Sequence, residues 1–78
     1  MHATIYDMVS CYIIADGVEG ARQRGAAIQE ARQYAARIGR SVIVEDRSTR
    51  ECYRVTPKGD IRPAPEDWVP CWEEGEPT

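Results

Sequence analysis

The side chains that could carry chemistry are few. There are three cysteines, Cys11, Cys52 and Cys71, and one histidine, His2, in 78 residues. A nucleophile needs a base and an orienting group, and Cys11 or Cys52 with His2 is the only pair on offer. No local signature supports it, and His2 directly follows Met1. A zinc site would need Cys3His from scattered positions. The odd cysteine count and wide spacing argue against a disulfide framework. The three are read as reduced structural thiols, with one disulfide between two of them as the other option. Paired carboxylates for glycosidic chemistry need a cleft, which a chain this small lines poorly; Glu45, Asp46 and Glu51 read as solvated surface. No glycine-rich loop follows a strand in a phosphate-binding pattern. The chain is therefore expected to be non-enzymatic, with no catalytic residue, cofactor or metal.

Nine of the ten basic residues are arginine. Arg22, Arg24, Arg32, Arg37 and Arg40 gather on one central stretch, and Arg47, Arg50 and Arg54 follow it. With Tyr6, Tyr12 or Tyr53 such a face could stack bases. The net charge of −3 opposes phosphate binding, so direct nucleic-acid binding is not the expectation. The charge is uneven. Residues 63–78 hold five acidic and no basic residues, while the first 62 hold all ten basic and eight acidic ones. The acidic end raises nucleic-acid mimicry, for which −3 is a weak charge.

The elements that position these side chains centre on residues 16–39, read as one helix. Asp16 suits an N-cap, with Glu19 three residues on, and Gly39 suits a left-handed C-cap. Ala21, Gly25, Ile28, Ala31, Ala35 and Ile38 fall on one stripe. Arg24 falls within it and is expected to snorkel to water. Residues 2–15 alternate and read as one long strand with a bulge or bend at Asp7 and Met8. Residues 41–46 and 51–56 read as a hairpin, 57–60 as a turn, and Ile61 as the end of a short fourth strand. Prolines 63, 65, 70 and 77 exclude a long helix or central strand beyond that point.

The resulting expectation is a small α+β fold of βαββ order. One helix packs across one face of a three- or four-stranded, mainly antiparallel sheet. Residues 1–62 form the domain and 63–78 an acidic tail containing Pro and Trp. The expected core is Ile5, Val9, Ile13, Ala21, Ile28, Ala31, Ala35, Ile38, Val42, Val44, Tyr53 and Val55. The preferred strand order puts the third strand between the first and second. With 42% hydrophobic residues, no apolar run near the ~18 residues of a membrane span and no signal peptide, the expected compartment is the cytoplasm.

One helix covers one sheet face. Alternation puts Tyr6, Met8, Tyr12 and Ile14 on the other, joined by Ile43 and Arg54. That is more apolar surface than a soluble monomer leaves open. The tail of the same chain, a second copy in a dimer, or a target protein must cover it. Trp68 and Trp72, four apart between prolines, are costly to leave in water, and Trp68 is expected to dock. Tyr6, Tyr12, Ile43, Arg54, Trp68 and Trp72 are thus the candidate protein-binding residues.

In size, acidity and strand–helix–strand–strand layout the whole chain resembles the small phage- and prophage-encoded inhibitors, notably anti-CRISPR proteins acting on type I systems. Residues 27–46 and 53–61 also look like small helix-then-hairpin domains. The first resemblance implies binding to a protein subunit of the effector complex, blocking target DNA or nuclease recruitment. It carries no site residues over. The competing class is a small bacterial regulatory module, antitoxin-like or a nucleic-acid-binding accessory protein.

Overall fold

The computed structural model describes residues 2–19, 24–47 and 49–74. The chain runs β1 (His2–Asp7), β2 (Ile13–Glu19), α1 (Arg24–Ile38), β3 (Val42–Asp46), β4 (Glu51–Val55), β5 (Ile61–Pro63) and a single helical turn, α2 (Cys71–Glu74). The strands form one sheet in the order β2-β1-β3-β4-β5, and every neighbouring pair is antiparallel. The α+β expectation holds, with five strands rather than three or four.

The fifth strand comes from residues 2–15, which do not make one strand. The chain reverses over residues 8–12 and returns as β2. Asp7 builds the reversal: its backbone N–H donates to Tyr12 O at 2.9 Å, its carbonyl accepts from Cys11 N at 2.8 Å, and its carboxylate accepts from Val9 N at 3.0 Å. Cys11 takes a left-handed φ of 64°, uncommon outside glycine. Asp16 is consequently not a helix cap. It lies in β2, where its carboxylate accepts from Thr4 Oγ1 and from Gly17 N, both at 2.8 Å. Gly17, at φ 74°, supplies the positive φ for a bulge between the pairs Ala3–Val18 and Ile5–Ala15. A second irregularity separates Ile5–Ala15 from Tyr6–Ile13. The first helical turn expected from Asp16 onward, and Ala21 with it, fall in the strand or outside the described residues; the surroundings of Arg24 and Gly25 also lie outside them.

The helix end matches expectation. Gly39 has φ 72° and donates to Ala35 O at 2.9 Å, closing α1 with a left-handed cap. The turn after β4 does too: Gly59, at φ 91°, donates to Thr56 O at 2.8 Å, and its own carbonyl accepts from Arg32 Nε at 3.0 Å, tying the turn to α1.

Ala27, Ala31 and Ala35 are fully buried against Ala3, Ile5, Val42, Val44 and Val55. Three alanines on one stripe let the helix backbone come close to the sheet. Ile14, Ala15, Tyr34, Ile38 and Tyr53 pack around this core. Two expected core residues are misplaced. Val9 is in the reversal at 68% exposure, and Ile13 is at 55%. Strand order also departs from the preferred split, since β1 pairs directly with β3. The helix connection instead carries β2 over β1 to β3, so β1 is the strand enclosed by the crossover. β3 is buried along its whole length.

Candidate protein-binding surface

The face of the sheet opposite α1 is covered by the chain's own C-terminal segment. Register places Tyr6, Ile43, Arg54 and Arg62 in one cross-strand row, and Thr4, Glu45 and Cys52 in the next. Over these rows lies Trp68, whose ring meets Tyr6 edge-to-face at 5.4 Å between centroids and 64° between planes. Of the three coverings considered from sequence, the tail of the same chain lies on this face.

Glu45 anchors this closure. Its side chain is only 1% exposed. One carboxylate oxygen, Oε1, accepts from Tyr6 Oη at 3.0 Å and Cys71 N at 3.4 Å, and Oε2 accepts from Trp68 Nε1 at 2.8 Å. Burial, and then the adjacent Glu45 anion, push the Tyr6 phenol well above its ordinary range. The same two causes in the same order push the Cys52 thiol up to about 12. Backbone bonds from Trp68 N to Pro65 O and from Glu73 N to Pro70 O, each 3.0 Å, shape the segment into two tight turns.

The six sequence-predicted residues separate. Tyr6, Ile43, Arg54 and Trp68 share the closed face. Ile43 is fully buried there and presents no surface to a partner. Arg54 is half-buried, and its Nε is buried without a hydrogen-bond partner. Trp72 is half-buried in α2. Tyr12 is not on the face at all. It sits in the reversal after β1 at 77% exposure. Val9 and Ile13, at the same end of the β1–β2 hairpin, are exposed as well.

Between this hairpin and the C-terminal segment runs a groove of about 370 Å³. Cys11 and Val69 form its two lips, Tyr6, Trp68 and Cys71 its walls, and Glu45 and Asp67 supply two carboxylates. Val69 is exposed. Sequence reasoning missed Glu45, Asp67 and Val69. The available signal was the parity of Glu45 with Ile43 in β3, which puts both on the face that the tail must cover.

Of the cysteines, Cys52 pairs with Glu45 across β3 and β4, Cys71 donates its backbone N–H to Glu45, and Cys11 lines the groove beside them. Cys11, Cys52 and Cys71 are free thiols, with Cys11 exposed. Among the described residues no group of three or more His, Cys, Asp and Glu gathers to hold a metal ion, and no helix is long and apolar enough to cross a membrane. Comparisons with protein-family models, with curated proteins and with solved structures returned no match.

Proposed function

We propose that the protein is a non-catalytic binding module that acts by occupying a surface of a protein partner. The kind of action is that of the small type I anti-CRISPR inhibitors its size and layout resemble. The observation that supports the reading best is the exposed set Val9, Tyr12 and Ile13, with Val69 across the groove. The tail covers the sheet but leaves these side chains in water, and a tyrosine amid aliphatic neighbours is a common interface anchor. Bound to a subunit of an effector complex, a chain of this bulk excludes target DNA or the recruited nuclease.

The test pairs reconstituted type I effector complexes with the wild-type protein and a Tyr12→Asp, Ile13→Asp variant. Both positions are exposed, so the variant should fold. Wild type should co-elute with a complex and block DNA binding or cleavage. The variant should lose roughly thirtyfold or more in inhibition, as hot-spot truncations do. Failure of wild type to bind or inhibit any complex assayed, or full inhibition by the variant, overturns the reading.

One observation favours the accessory-module alternative. Arg54 and Arg62 face each other across β4 and β5, like charges opposite one another are unfavourable, and the anion at hand is the exposed Asp60, 3.9 Å from Arg62. Salt-sensitive binding of labelled duplex or single-stranded DNA by the wild type, lost in Arg62→Ala, would move the assignment there.

A further inference from the structure

We infer that the groove between the β1–β2 hairpin and the C-terminal segment receives the side chain of an arginine or lysine projecting from the protein partner. This rests on the binding reading above for its choice of a protein as occupant.

Three observations converge on a cation. First, Glu45 is buried with three hydrogen bonds, all from neutral donors: a phenol, an indole and a backbone amide. No Lys or Arg among the described residues pairs with it. Arg47 is directed to Cys71 and Asp16. A buried carboxylate is costly without a counter-charge, and Oε2 accepts one bond where it can take two. Second, the groove carries a second carboxylate, Asp67, exposed beside it, and among the described residues no basic one lines it. Third, two aromatic rings, Tyr6 and Trp68, form its walls, and aromatic faces attract guanidinium and ammonium groups.

The lips explain why the cation should arrive on a chain. Val69 and Cys11 are suited to the methylene stem of a long basic side chain, and the apolar Val9, Tyr12 and Ile13 lie on the hairpin beside them. The net charge of −3, concentrated in residues 63–78, steers a basic protein surface toward this end.

The experiment is a titration of the full chain, followed by the Trp68 indole N–H and Cys71 amide resonances. The probes are capped tripeptides Val-Arg-Val and Val-Lys-Val, the uncharged isostere Val-citrulline-Val, and free arginine amide. The arginine and lysine peptides should shift both resonances, weaken several-fold from about 0.05 to about 0.5 M salt, and bind more tightly than arginine amide. Asp67→Asn should weaken them about two- to fivefold, and Glu45→Gln about tenfold or more. Since Glu45 also holds the tail, Asp67→Asn, at an exposed position, decides the matter if Glu45→Gln does not fold. Equal binding of the citrulline peptide, absence of shifts at Trp68 and Cys71, or no effect of Asp67→Asn overturns the inference. Arginine amide binding as tightly as the peptide overturns the partner-borne source. If these fail while the Tyr12, Ile13 variant still abolishes inhibition, the groove assignment falls and the binding reading stands.

Discussion

Glu45 shows how one side chain can make a tail part of a domain. Replacing it with alanine leaves three half-buried donors without an acceptor, at about 1–3 kcal/mol for the first and less for those that water then reaches. We expect Glu45→Ala to lose about 3 kcal/mol in urea denaturation. Trp68→Ala should cost about 2–3 kcal/mol through lost area, ring contact and one charge-assisted bond, and both variants should expose the Cys52 thiol. That exposure is measurable. In the wild type, alkylation followed by mass spectrometry should modify exposed Cys11 first and Cys52 last, because burial keeps the latter protonated up to about pH 12. Cys52 reacting as fast as Cys11 would mean that the tail does not hold the face closed. Tyr6 and Trp68 were legible as residues of that face from alternation and apolar area alone. Glu45 was not, since an acidic residue near a hairpin normally points to water, and only the closed tail makes it an acceptor.

At the scale of elements, the two reversals of expectation share one cause. Residues 8–12 hold no glycine, proline or asparagine and only Ser10 among the usual turn formers, so alternation runs on through them. The reversal is made by the carboxylate of Asp7 and a left-handed Cys11 instead. Once a turn and a bulge intervene, facing parity changes, as one residue of offset exchanges the two faces of a strand. Hence Ile14 joins the helix-side core and Ile13 faces water, the reverse of the parity assigned to one unbroken strand. Asp16 and Gly17 look like a helix start and serve a bulge. Helix C-cap, β3–β4 hairpin and the 57–60 turn were legible because each carries its local signal. Two substitutions test this account. Gly17→Ala meets no neighbouring atom, so its cost should be the backbone strain alone, about 1–2 kcal/mol. Cys11→Gly should relieve similar strain and raise stability by up to about 1 kcal/mol after the entropy of the unfolded glycine is set against it.

For the molecule as a whole, acid sensitivity should centre on Asp7. Arg40, just past α1, grips its carboxylate with two nitrogens, the Nε bond being 3.2 Å. That grip, and next the Val9 N–H, hold Asp7 well below the usual carboxylate range. With its folded pKa depressed, Asp7 contributes fully above its unfolded value of about 3.9. The contribution disappears as pH falls from there toward the folded value. Asp7→Asn should therefore be less stable than wild type near neutrality, and the gap should narrow below about pH 4 in thermal melts. A gap that stays constant down to strongly acid pH would show that Asp7 acts as a turn former and not as a charge. The closed face has a further consequence, for the order of events during synthesis. β1 is made first, yet its partner β3 lies about forty positions later; the Tyr6–Glu45 bond spans 39 residues and the Trp68–Glu45 bond 23. Such long closures are slow to form. Until Trp68 reaches Glu45, Tyr6, Ile43 and Glu45 have no cover, so closing this face is the step that completes the fold.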